Sequence, residues 1–274
     1  MDRQSVIGTT LRVLRLRRSL LLFPAISGLV ISAVCSVPFY ALRSEFYNGK
    51  SLTPGELTAL APVLLLIACL QTILSAPLLH AVDQLLRKRR PTVAESYLAV
   101  ARRLPPFLAW ALLNVVVSSG MWVLSATFAL RLLLDAAGIS WWRSSYFTLP
   151  AMIAEERGAI ASLRRSRELG RRHMGNIVSL DWKLSALAGL LVLVPGITAV
   201  VLAAETDDHA LVVTTAVLVA LWCVVWSVLS ATATGIYRMV VWHRAVRAEE
   251  EAEKAAPGLP GPIVGTTSEV EPVS

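Results

Sequence analysis

Long uncharged apolar runs alternate with short clusters of arginine along this chain, and that alternation predicts its elements. Residues 20–42 run 23 positions without a charge. At roughly 1.5 Å per residue a helix of that length crosses a hydrocarbon core of about 30 Å. Residues 57–82 form a second such run of 26, with Gln71 and His80 as its strongly polar members. Further runs over 104–130, 184–204 and 210–237 read the same way. Residues 136–154 are harder, because only 11 uncharged residues separate Arg143 from Glu155. A re-entrant hairpin there would put the arginines between Glu155 and Lys183 on the outer side, so the stretch is read as a short fourth span, with Trp141, Trp142 and Tyr146 in an interfacial aromatic belt. The prediction is an all-α, polytopic membrane helix bundle with six transmembrane helices over residues 1–247. Residues 248–274, acidic and then rich in Pro, Gly and Ser, read as a disordered cytoplasmic tail.

Two connectors carry their own helical pattern. Pro91 opens the first, with Val93, Tyr97, Val100 and Leu104 on one face and the pair Arg102-Arg103 at its end. Residues 159–177 form the second. Ala159, Leu163, Ser166, Gly170, Met174 and Ile177 share one side, whereas Arg164, Arg165, Arg171 and Arg172 lie away from it. Glu168 stands four positions from both Arg164 and Arg172. Both connectors follow a span with a proline near its end, Pro77 or Pro150, as in a weak parallel repeat.

Composition sharpens this picture. The chain of 274 residues is 55% hydrophobic and 16% charged, against about 25% charged in soluble domains, and its mean hydropathy is +0.61. The net charge of +7 sits in the connectors, which argues against nucleic acid as the partner. With both termini cytoplasmic, 22 of the 26 Lys and Arg fall inside and Arg43, Lys50, Arg131 and Arg143 fall outside. That bias is the one that orients cell-membrane proteins, and the basic loops are suited to anionic headgroups of membrane lipids. Cys35, Cys69 and Cys223 lie singly in apolar runs and read as small hydrophobes.

Candidate chemistry is sparse. Ser166 and Gly170 form a small-xxx-small pair, so Leu163, Ser166, Gly170 and Met174 are a candidate helix-docking surface, with an interfacial helix on anionic lipid as the alternative. Gln71, Asn114 and Arg143 are the candidate intramembrane polar site. Arg143 stands about 18 Å from the inner boundary, within reach of the outer headgroups by snorkelling or of a site paired with Asp135. His80 sits at the cytoplasmic edge. No GxGxxG, P-loop, HExxH or GxSxG occurs, and the four histidines share no ligand spacing. Glu205, Asp207 and Asp208 read as a solvated acidic turn. No catalytic residue, metal site or cofactor is expected.

The segments SLLLFPAISGL and YFTLPAMIAEERGAIASLRRSRELGRRHMGN resemble a family of bacterial six-pass membrane proteins known only as a domain of unknown function. The matching positions are Leu21, Leu22, Phe23 and Pro24, then Phe147, Pro150, Glu155, Leu163, Arg165, Ser166 and Gly175. Such proteins usually carry Trp before that last glycine, where Met174 stands here. The resemblance spans about residues 10–245 and implies a membrane fold without an assigned activity. A looser similarity joins it to membrane domains fused to glycerophosphodiesterases, whose catalytic domain has no counterpart here. The expectation is a non-enzymatic accessory or scaffold protein with a basic cytoplasmic face and a possible partner membrane protein. The alternative is a small permease or lipid-handling transporter.

Overall fold

A computed structural model describes residues 17–47, 54–124, 128–205 and 209–255, together with Gly8 and Thr10. Among the described residues every regular element is helical. A 3₁₀ turn, Arg18–Leu21, leads into α1 (Leu22–Tyr47), α2 (Pro54–Leu86) and the short α3 (Val93–Arg102). Then come α4 (Leu104–Leu124), α5 (Phe128–Ser145), α6 (Thr148–Ala154), α7 (Ala159–Glu205) and α8 (His209–Ala255). Among the described residues, four helices are long and apolar enough to cross a membrane, over Ser19–Ser36, Ala61–Leu86, Leu104–Met121 and Val217–Ala252. A shorter apolar segment, Gly189–Thr198, lies within α7. The predicted tail beyond 255, the Asn48-Gly49 turn and Asp207-Asp208 lie outside the described residues.

Two predicted elements are built differently. Residues 136–154 are not one span, because the helix breaks at Tyr146 and Phe147, between α5 and α6. A continuous helix would leave the Tyr146 carbonyl facing Pro150, which has no N–H to give it. Breaking there places Pro150 in the first turn of α6, where that donor is not needed. Ser166 of α7 takes over the freed backbone groups: its Oγ accepts from the Phe147 amide at 3.0 Å and donates to the Ser144 carbonyl at 2.6 Å. The second difference is that the 159–177 connector and the 184–204 run form one helix, α7, of 47 residues. A helix satisfies its own backbone in water and in lipid alike, so a change of side-chain polarity is no reason for it to end.

The first connector is a helix by its caps. Thr92 and Glu95 form a reciprocal capping box, Glu95 N–H donating to Thr92 Oγ1 at 3.2 Å and Thr92 N–H to Glu95 Oε2 at 2.8 Å. Ser96 and Val100 are buried, and Tyr97 stacks on Phe23 of α1 with centroids 5.6 Å apart. Helix α2 ends in a pair of reversed bonds, Lys88 N–H to Leu85 O and Arg89 N–H to Gln84 O. This Schellman turn places Lys88 at φ 63°, a conformation more often given to glycine.

Burial is strongly uneven. The core gathers Leu78 and Val82 from α2, Phe147 and Met152 at the α5–α6 break, Leu169 from α7, and Ile236, Met239 and Trp242 from α8. Away from it, Leu64, Leu193, Val194, Leu218, Leu221 and Val224 are exposed. An apolar surface of that extent is foreign to a protein solvated by water alone, and ordinary where lipid tails are the solvent. Helix α8 has 47 residues, about 70 Å of helix, twice the thickness of a hydrocarbon core. Its apolar first half and its packed second half therefore occupy different surroundings.

Gly235 sets how closely α8 approaches α2. A Cβ built there would stand 2.6 Å from Leu78 Cδ2 and 3.3 Å from its Cγ. Gly235→Ala should lower the unfolding free energy in detergent by up to about 2 kcal/mol, the displacement of the Leu78 side chain being partly offset by the better helix propensity of alanine. Combined with Leu78→Ala, the loss should be smaller than the sum of the two single losses. Strict additivity would show that the two helices are not held at this point.

Candidate functional site

The polar ends of α2, α6, α7 and α8 meet at a charged and aromatic junction. At its centre Asp83 of α2 is buried, its side chain 2% exposed. Its Oδ1 lies 2.9 Å from Nε2 of His243 on α8. Arg87, one turn further along α2, donates from Nε to the same carboxylate at 3.1 Å. The Arg87 guanidinium also donates, through Nη2, to the carbonyl of Ala154, the last residue of α6, at 3.0 Å. That carbonyl belongs to the negative end of a helix, where a cation is favoured. One carboxylate thus connects three helices.

A second charged node lies alongside. Arg165 of α7 pairs with Glu155, the C-cap of α6, at 3.3 Å and with Glu249 of α8 at 2.5 Å. Arg165 was expected on the solvent side of α7; it turns inward because both carboxylates lie there. Glu168 pairs with it too, at 3.9 Å; the side chain of Arg172 lies outside the described residues. Aromatic rings fill the space between the nodes. Phe147, fully buried, stands 5.8 Å from Trp242 and 5.0 Å from Tyr146, and the Arg238 guanidinium lies 4.9 Å over the Tyr146 ring. Contacts of that kind contribute about 0.5–2 kcal/mol each.

The predicted helix-docking surface is used inside the chain. Leu163, Ser166 and Gly170 are buried, and Ser166 bonds both sides of the α5–α6 break. Within the chain, the face therefore receives the α5–α6 break; the side chain of Met174 lies outside the described residues. The intramembrane polar site does not assemble. Asn114 accepts from the Trp141 indole at 3.2 Å, and Trp141 stacks on Trp110 with centroids 6.0 Å apart, so Asn114 joins α4 to α5. Gln71 and Arg143 are exposed, and among the described residues no hydrogen bond or ion pair joins them to Asn114. The side chains of Asp135 and Glu205 lie outside the described residues.

Beside Asp83 the surface opens into two adjoining cavities. The inner one, about 180 Å³, is lined by His80, Asp83, Arg87, Arg103, Phe107 and Glu156 among others. The outer one, about 380 Å³, lies between His80 and Gln84 of α2, Arg89 to Pro91 of the turn, and Leu98 and Arg102 of α3. Two non-glycine residues with left-handed backbone stand at this place, Lys88 beside Arg89 and Glu156 at φ 56°. Strained backbone of this kind costs about 1–3 kcal/mol and gathers where surroundings hold it in place. Glu95, on the rim, is kept below the ordinary carboxylate range by the Thr92 amide and then by its hydroxyl. The capping box is therefore present at neutral pH and weakens only as pH falls through that lowered range.

Sequence reasoning singled out His80 but not Asp83, Arg87 or His243. The i,i+4 spacing of Asp83 and Arg87 was a usable signal. The contact to His243, 160 positions away, had none. Removing one member of a buried pair strands the other, a loss of about 3–5 kcal/mol. Asp83→Asn and His243→Gln should each lower the unfolding midpoint in detergent. The double variant should show a coupling of about 0.5–3 kcal/mol; additive losses would mean that the contact does not tie α2 to α8.

No curated protein and no solved structure matches the chain. A family model does match, over residues 63–252. That range takes in Asp83, the α5–α6 break, Ser166, Arg165, His243 and Glu249, and begins after the Leu21–Pro24 segment. On that match the chain belongs to the family of unknown function DUF6159.

Proposed function

We propose that the protein is a multi-pass protein of the cell membrane with both termini in the cytoplasm, and that it acts by binding, without catalysis, as an accessory or scaffold protein. The observation that carries this reading is the interlocked junction. Asp83, Arg87, His243, Arg165, Glu155 and Glu249 are engaged with one another across four helices. Groups tied up in this way hold a shape. The four long apolar helices support the membrane placement, and the 22 inward-assigned Lys and Arg support the orientation.

What the junction holds steady is its outer surface. Arg164, Arg167 and Arg171 follow one another at helical spacing on α7 and are exposed, while Ser166 and Leu169 on the opposite side are buried. A rigid helix presenting a basic stripe suits an acidic segment of another membrane protein. The permease alternative needs polar side chains converging within the bundle, and Gln71, Asn114 and Arg143 stand apart.

The test is purification of tagged protein from its native membrane in mild detergent, with mass spectrometry of what accompanies it. The expected result is a partner in fixed ratio, lost when Arg164, Arg167 and Arg171 are changed to Glu and retained in Gly235→Ala. Protein that washes out of membranes with alkaline carbonate would contradict the placement. A monodisperse protein that arrives alone from membranes would contradict the scaffold role.

A further inference from the structure

We propose that the outer cavity between α2 and α3 is a binding site for the phosphate headgroup of an anionic phospholipid, with Arg89, Arg90 and Arg102 as its cationic wall. This rests on the membrane placement proposed for the chain, but not on its scaffold role. The cavity has the volume of a small-molecule site, about 380 Å³ against 300–1,000 Å³ for ligand pockets in general.

Charge is the first argument. Most inward-facing charge at this end is neutralised: Arg87 by Asp83, and Arg165 by Glu155 and Glu249. Arg89, Arg90 and Arg102 differ, because among the described residues no carboxylate pairs with them. Glu95, the acid on the same rim, has its carboxylate turned to the Thr92 amide at 2.8 Å. Three guanidinium groups thus stand around one concavity with donors to spare, the arrangement that captures phosphate oxygens.

An orphaned polar atom is the second argument. His80 lines both cavities, and its Nδ1 is buried without a hydrogen-bond partner. A buried imidazole nitrogen left in that state costs free energy unless something meets it, and this one lies beneath the floor that the two cavities share. The third argument is the apolar part of the wall. Pro91, Leu98 and Ala99 line the same space, Leu98 being 51% exposed. Leu104 and Leu108, exposed at the start of α4, continue the apolar surface toward the span Leu104–Met121. A soluble phosphate has no use for that wall, whereas a lipid has acyl chains to lay along it. Basic pockets beside membrane helices take anionic headgroups in this manner.

The experiment compares full-length wild type, Arg89→Gln/Arg102→Gln and Arg164→Gln/Arg167→Gln in vesicles of phosphatidylcholine with and without phosphatidylglycerol. The second variant removes the same charge from the exposed stripe of α7, outside the cavity. Native mass spectrometry of protein released from the mixed vesicles counts retained phosphatidylglycerol. The expected result is a loss of about 25-fold in retention for Arg89→Gln/Arg102→Gln, since each of the two basic groups near anionic lipid contributes about a factor of five. Retention should be near that of wild type for Arg164→Gln/Arg167→Gln. All three proteins should float with vesicles after carbonate treatment; wild type that does not float would sink the membrane placement itself. Equal losses in the two variants would overturn the site in favour of diffuse attraction, and no loss in either would overturn it outright. Inorganic phosphate or glycerol phosphate displacing the lipid at millimolar concentration would overturn the lipid assignment in favour of a soluble anion. Because Arg89 and Arg102 are exposed, thermal melts of the variants should match wild type, which separates lost binding from lost fold.

Discussion

A carboxylate removed from water is costly unless opposite charge and hydrogen bonds meet it, and the arrangement of this protein follows from how Asp83 is met. His243 reaches it from the last helix, and Arg87 carries its influence to the end of α6 through the Ala154 carbonyl. If any of these helices moved by one turn, a buried charge would be stranded. Hydrophobic burial alone is indifferent to such slips, since one leucine serves as well as another. The ion-paired node therefore selects one register for helices whose apolar faces would tolerate several. Arg165, with Glu155 and Glu249, does the same for α7.

Among the described residues, the rest of the bundle shows what is left when no such node is present. Beyond the junction the helices expose leucine and valine along much of their length. Where lipid is the solvent, such surfaces drive no association of their own. Specific geometry has to come from polar contacts, as between Asn114 and Trp141, or from close approach, as at Gly235 and Leu78. The junction concentrates both kinds of contact at one end, and that end also carries the basic rim.

Much of this was legible in the sequence, and the remainder has a physical reason for having been hidden. Apolar length located α1, α2, α4 and α8, because burial in lipid demands an unbroken run. The helical face of Val93, Tyr97 and Val100 was visible, and Thr92-x-x-Glu95 was a capping signal available but unused. The small side chains at Ser166 and Gly170 correctly marked a close approach. A pattern of small residues states that something comes near and not what it is, so the α5–α6 break was read as a separate partner. The split of 136–154 was masked for a related reason, since Pro150 is compatible with a kinked span and with the first turn of a new helix. Polarity at depth marks Gln71, Asn114 and Arg143, yet of these Asn114 meets Trp141, and the charged groups that meet one another lie toward the helix ends.

The arginine-rich start of α7 belongs to the same folded unit as the apolar helices, held there through the adjoining Asp83 and Arg165 nodes. Hydrogen exchange of the full chain in nanodiscs tests it most directly. The amides of Ala159–Gly170 are water-facing by composition and lie 76 or more positions from Asp83 in sequence. They should exchange as slowly as the core of α8, and Asp83→Asn should accelerate them together with α6. Rapid exchange of that segment in wild type, or protection unchanged in Asp83→Asn, would contradict it.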